Sequence, residues 1–359
     1  MKTSIWFLSL LCVTAQAGTL FLPAYPAHVL IVDEATQKIL DRVPTEIGLP
    51  TGSYLSYDRK KIYLTTQDHN GIAVLDIATH KIVNHFLLNN GNHQFRFRGI
   101  APDPEDKLLY TVVTEVVKQV DRFEIDKLQY AVIDLAQQKI VRTADMSPGD
   151  QGPNMGFGRG GMMVSPDGKY LYQFRKQVVV VDTNTFKVVD RIELAKPEFP
   201  GMTNVGLGGL LEAIQEPGYY TSLFSSEDPN VHFKTFGIAR FDLNKREFTY
   251  DPIGPAMPGM GNLEVSPDRK MGYTIVATGQ HGTRSCEFWA FDLVNHRRTM
   301  TAPYACPTHF RLGISSTGNE LYITGSGYTI DIFDAATLKP KGVTDLNNDI
   351  TMASMIVAP

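Results

Sequence analysis

Apolar residues in this chain come in short runs, each closed by a compact polar turn. One unit repeats seven times: an apolar strand, an aspartate, a few polar residues and a second strand. The first copy is VLIVDEATQKIL, which pivots at Asp33. The others pivot at Asp76, Asp134, Asp182, Asp242, Asp292 and Asp334, with steps of 43, 58, 48, 60, 50 and 42 residues. A second unit alternates with the first: an apolar strand, a Ser-Pro-Asp type of turn, and an apolar strand rich in tyrosine. GMMVSPDGKYLYQF, around Ser165, Pro166, Asp167 and Gly168, is the clearest copy, and LLEAIQEPGYYTSL reads as a degenerate one. Proline fixes φ for a turn and glycine admits positive φ, so these are hairpin turns. Period-two spacing of apolar residues on either side predicts strands rather than helices.

Strands alone, repeating every forty to sixty residues or so, predict an all-β fold, a β-propeller of four-stranded blades. The ends of the chain predict how the ring closes. Residues 18–43 supply three strands of a blade and lack its first, whereas TMASMIVAP at 351–359 is a strand with no partner after it. Residues near 351–358 are therefore expected to complete the blade begun near residue 19. The expected result is one seven-bladed domain over residues 18–359, its ring closed by pairing the N- and C-terminal strands. Closure of this kind removes sheet edges that invite aggregation.

The first seventeen residues fall outside the repeat. Lys2, the apolar run from Ile5 to Val13 and the small-x-small signature Ala15-Gln16-Ala17 read as a secretory signal peptide over residues 1–17, too short to span a membrane. The expectation is a periplasmic protein whose mature chain begins near Gly18. Hydrophobic content of 43%, charged content of 20% and a net charge of −4 describe an ordinary globular chain. No clustered basic face points to nucleic acid. Cys12 leaves with the leader. Cys286 and Cys306 flank the Asp292 hairpin on nearly opposite positions, so an oxidising compartment predicts a disulfide; two buried free thiols are the alternative.

Motifs for resident chemistry are missing from the sequence. There is no Cys-x-x-Cys-His for covalent haem, no zinc spacing, no P-loop and no dinucleotide fingerprint. GLGG at 206–209 lacks the strand–helix setting of a phosphate loop. No cofactor is expected in this chain and no catalytic or metal-binding residue is assigned. The informative segments join the last strand of one blade to the first of the next, and they converge around the mouth of the channel. They carry His93, Arg96 and Arg98; Asp150, Asn154, Phe157 and Arg159; Glu198 and Asn204; Met257, Met260 and Asn262; His309 and Arg311; and Asn347, Asn348 and Asp349. Histidines and arginines gathered there would bind an anion, orient a substrate or anchor a partner. The alternative is that the arginines stiffen the ring by pairing with carboxylates and carbonyls. His93 and His309 from separate segments fall short of a metal ligand set. Met257, Met260 and Phe157 fit an apolar patch at a protein interface. Two long inserts, 112–135 and 224–243, extend blade strands, either to dock a partner or as tolerated growth on a rigid frame.

VVVVDTNTFKVV and SPDGKYLY resemble the YVTN class of bacterial β-propellers. Within that class the chain resembles the propeller (β) subunit of quinohemoprotein amine dehydrogenases. The likeness is best over FRGIAPDPEDKLLYTVVTEVVKQVDRFEIDKLQYAVIDLAQQKIVRT, and again over the tail from Gly318 to Met355. The resemblance implies a cofactor-free subunit of an oxidoreductase complex. Its partners would be a di-haem chain and a small chain bearing a cysteine-tryptophan-derived quinone, with the propeller framing the quinone chain and helping to wall the amine site. The competing readings are a stand-alone exported binding propeller and a lactonase-like hydrolase. The hydrolase would need a channel metal held by residues such as Glu198, Asn204, Asn262 and Asp349.

Overall fold

Seven antiparallel sheets stand as blades around a central channel in the computed structural model, which describes residues 18–151, 161–195, 202–280, 282–307, 309–325, 327–351 and 354–358. Blade 1 pairs the tail strand Ile356–Ala358 with Thr19–Ala24, followed outward by His28–Asp33 and Ile39–Pro44. Blades 2 to 7 follow in chain order over residues 50–87, 93–145, 162–193, 206–255, 264–304 and 310–345, each running from an inner to an outer strand. The ring closes as the sequence predicts, with Thr19, Leu20 and Phe21 opposite Ala358, Val357 and Ile356.

Strand alternation builds the ring. In blade 1, Leu20, Leu22, Leu30 and Val32 point to blade 7 and pack on Tyr322, Ile330 and Ile332. Phe21, Val29 and Ile31 point the other way, onto Ile62, Leu64 and Ala73 of blade 2. The same division recurs around the ring, giving seven buried clusters among the described residues, each between two neighbouring blades. Middle strands such as Gln177–Asp182 are therefore apolar on both faces, QVVVVD, while outer strands alternate.

The seven turn aspartates share one local device. Each Oδ1 accepts the backbone N–H three residues on, at 2.7–3.0 Å, from Thr36, Thr79, Gln137, Thr185, Lys245, Asn295 and Thr337. The fourth residue on takes positive φ, from 51° at His296 to 60° at Arg246, although none of the seven is glycine. A side chain that bonds the turn backbone offsets the cost of that conformation. In the second unit the serine hydroxyl donates to the aspartate two residues on, at 2.7 Å in Ser56–Asp58 and 2.6 Å in Ser165–Asp167 and Ser266–Asp268.

Hydrogen bonds from the residue three on hold all seven turn aspartates below the ordinary carboxylate range, its side chain being the larger cause at Asp33, Asp76, Asp292 and Asp334 and its backbone N–H at Asp134, Asp182 and Asp242. The unfolded chain therefore binds these protons more tightly than the folded one. The stabilisation is complete above the unfolded pKa of about 4 and is lost as the pH falls below it. The melting temperature should hold from pH 7 to 5 and drop steeply below about pH 4, and Asn at positions 182 and 334 should shallow that drop. A melting temperature that stays flat down to pH 3 would contradict this account.

Candidate functional site

Each blade strand reverses its neighbour, so the chain sorts its connections onto two faces. The Asp turns and Ser-Pro-Asp turns lie on one. The blade-to-blade segments, together with the loops between second and third strands, lie on the other, which is the mouth. The channel between them encloses about 1000 Å³ and is walled mainly by the inner strands of blades 5, 6 and 7 with the tail strand.

Three of the sequence candidates, Asn262, His309 and Arg311, meet on this wall, beside Glu264, Arg284 and Phe310. Glycines line the adjoining inner strand of blade 5. A Cβ at Gly209 would lie 2.9 Å from the Asn262 amide, so the inner strand of blade 5 needs glycine there to let blade 6 approach. Arg284 lies over the Phe310 ring with its guanidinium carbon 5.9 Å from the centroid.

Among the described residues, the other candidates do not line the channel. Asp150 is 3% exposed at the end of a short 3₁₀ turn, and both its carboxylate oxygens accept from Arg191, at 2.9 and 2.8 Å. Arg175 donates to the Asp150 carbonyl at 3.1 Å and to Gln173 Oε1 at 2.6 Å. Asp150 therefore ties the junction of blades 3 and 4. His93, Arg96 and Arg98 correct the expectation of a loop, because they lie in the inner strand His93–Pro102 of blade 3. Pairing with Leu108–Lys118 prolongs that strand past the ring. His93 bonds Glu115, while Arg96 and Arg98 are exposed and their side chains make no hydrogen bond or ion pair among the described residues. Together with burial, their charges push the pKa of His69 down, burial being the larger cause. Asn154, Phe157, Arg159 and Glu198 lie outside the described residues.

Asn348 and Asp349 serve the ring closure. Asn348 accepts from Arg42 Nη1 at 2.7 Å and donates to the Tyr25 carbonyl at 2.8 Å, and Asp349 caps Thr351. Of the residues proposed for a channel metal, Asn262 lines the channel and the described Asn204 and Asp349 do not, and no group of three or more His, Cys, Asp or Glu side chains among the described residues could hold a metal.

Sequence reasoning missed one feature, a strap across the far end of the channel. LLEAIQEPG joins the paired strands Gly206–Leu210 and Tyr219–Glu227, as a degenerate copy of the turn should, but its connection is long: Leu211 to Gly218, with a 3₁₀ turn at Glu212–Ile214, reach from blade 5 to blade 2. There the Gly218 N–H donates to Tyr57 Oη at 3.1 Å, and Arg59 donates to the Glu212 carbonyl at 3.3 Å. Glu216 pairs with Arg240 and Arg269 to pin the strap. The extra length of this turn over SPDG was the available signal. The two long inserts, by contrast, extend blade strands as the sequence predicts. Blade 3 carries an added strand, Phe123–Ile125, beside the upper half of Leu108–Lys118, and blade 5 prolongs its hairpin through Tyr219–Glu227 and Lys234–Asp242. Both project on the mouth side. Their tips expose Val120, Phe123 (60%), Ile125 (72%), Val231 and Phe233 (55%).

Cys286 and Cys306 are joined by a disulfide in the structure, Cα atoms 5.1 Å apart and 20 residues apart in sequence, tying the third strand of blade 6 to the segment just past its outer strand. Replacing both with alanine should cost about 3 kcal/mol in the chain-entropy account. Unreduced peptide mapping of exported protein should show the cross-link, and two alkylatable thiols would contradict it.

No family model matches the chain, and no curated protein matches it. Solved structures do. Dihydro-haem d1 dehydrogenase NirN, solved in complex with DHE, is 13% identical over 95% of this chain and 75% of that one, with a TM-score of 0.50. Apo AztD from Citrobacter koseri is 12% identical over 95% and 98%, with a TM-score of 0.52. A protein of unknown function from Desulfotomaculum acetoxidans is 11% identical over 95% and 98%, with a TM-score of 0.53. At these identities the likeness is one of fold: this chain is a β-propeller. No helix among the described residues is long and apolar enough to cross a membrane.

Proposed function

We propose that this chain is the cofactor-free propeller member of a periplasmic, amine-oxidising assembly of the quinohemoprotein amine dehydrogenase type. It docks a small quinone-bearing chain and a di-haem chain on its mouth face and helps wall the amine site. The observation that carries this reading is the pair of tall blades. Apolar side chains at hairpin tips, Phe123 and Ile125 on blade 3 and Phe233 on blade 5, rise into solvent on the side where the channel opens. A chain with no use for them would keep such residues buried or polar. The stretch that builds the tall part of blade 3 lies within residues 97–143, where the family resemblance is strongest. Arg96 and Arg98, exposed beside it, are the residue type that anchors interfaces.

The channel supports a second reading, a stand-alone binding propeller. Its volume of about 1000 Å³ is at the upper end of small-molecule sites, and its wall mixes apolar and polar groups. Co-expression with the neighbouring reading frames separates the two. The native chain should co-purify with a haem-bearing and a small quinone-bearing chain. The triple variant Phe123→Asp, Ile125→Asp, Phe233→Asp should lose both while keeping its melting temperature, since all three side chains are exposed. Retention of both chains by the folded variant would overturn the placement of the interface.

A further inference from the structure

Glu34 is an anomaly of the ring closure. It is 5% exposed, and its carboxylate is served only by neutral donors: the Gly18 N–H at 2.7 Å, the Ser316 N–H at 3.1 Å, the Ser316 hydroxyl and the Tyr322 hydroxyl at 3.2 Å. No cation pairs with it among the described residues. Buried carboxylates are ordinarily paired with a positive charge, because isolated ones are costly. The pocket instead directs its carboxylate at one backbone nitrogen, that of Gly18, which also donates to Ser316 Oγ at 3.0 Å.

Gly18 is held there tightly. A Cβ on it would lie 2.3 Å from the Ala358 carbonyl, 2.8 Å from Glu34 Oε2 and 2.9 Å from Ser316 Cβ. Its own carbonyl accepts the Glu34 N–H at 3.0 Å. The residue thus sits where blade 7, the tail strand and the first strand of blade 1 come together. It also follows directly the Ala15-Gln16-Ala17 cleavage signature.

We propose that Glu34, Ser316 and Tyr322 form a receptor for a new α-amino terminus. Hydrolysis of the Ala17–Gly18 peptide bond adds one water, giving a carboxylate on the released leader and an ammonium on Gly18. That ammonium supplies the missing cation: one N–H points to Glu34 and another to Ser316 Oγ. Processing therefore places a charge pair at the seam where the ring is zipped shut, and joins three segments distant in sequence. The inference rests on cleavage of the leader, not on the amine-dehydrogenase reading, and it holds for any exported role.

Intact mass of the exported protein tests the first half, with Gly18 expected as the first residue. A double-mutant cycle tests the second. The Glu34→Gln change is made in the processed protein and in a version purified with two extra residues, Gln-Ala, left before Gly18, which turn the ammonium into a neutral amide. Glu34→Gln should lower the melting temperature by several degrees more in the processed form than in the extended one. The Gly18 amine of the folded processed protein should also resist acylation at neutral pH and react on unfolding. Equal losses in the two forms, a freely reactive amine, or a mature chain that starts elsewhere would each overturn the proposal. The mass result separates failure of the cleavage site from failure of the pocket.

Discussion

Deleting residues 351–359 should turn a soluble ring into an aggregating one. The tail strand is short, Ile356–Ala358, yet it faces both ways. Ile356 and Ala358 pack in the cluster shared by blades 1 and 2, and Met355 and Val357 against the cluster shared by blades 7 and 1. Ile356 is 2% exposed. Removing these side chains forfeits on the order of 5 kcal/mol of apolar burial, a large part of a typical domain stability. Loss of the strand also uncovers the hydrogen-bonding edge of Thr19–Ala24, a template for pairing with another chain. A truncated protein that stays monomeric with an unchanged melting temperature would show that the ring does not depend on this zip.

Arg191→Ala should be the most damaging single change at the mouth. Asp150 is buried and both its oxygens are occupied by the one guanidinium. Taking the partner away leaves a carboxylate without its counter-charge, which in a buried pair costs about 3–5 kcal/mol. The Arg191 side chain is 38% exposed, so water can partly replace it, and the expected loss is nearer about 2 kcal/mol. Arg191→Lys should recover only part of this, because an ammonium cannot match both oxygens in one plane. Urea unfolding of the three proteins measures it. A loss below about 0.5 kcal/mol in Arg191→Ala would mean that the pair is incidental to the junction.

Both predictions concern parts of the molecule that differ in how far the sequence discloses them. The blades are legible because their signals are local. Asp182 bonds Thr185 within its own turn, and VVVVD is apolar enough to be buried on both faces wherever the strand sits. Closure is legible because the first blade lacks a strand and the tail offers one. The convergence of Asn262, His309 and Arg311 follows from topology, since all three lie at or near blade-to-blade joins. What the sequence conceals depends on partners remote along the chain. His93, Arg96 and Arg98 look like loop residues until Leu108–Lys118 extends past the ring and recruits them as a strand. Nothing near Glu212 announces Arg59, which lies 153 positions away. Asp150 resembles any polar loop residue, and only the fold brings Arg191 against it.

The proposed function makes this propeller one part of an assembly and not the whole of a catalyst. Isolating it from its native host at low salt, then recording the visible spectrum and the intact masses of whatever co-elutes, tests that claim most directly. The account predicts a complex with haem absorption, a di-haem chain and a small quinone-bearing chain, with this chain colourless once separated from them. A lone chain that turns over an amine or a lactone unaided, or that carries a stoichiometric metal, would contradict it.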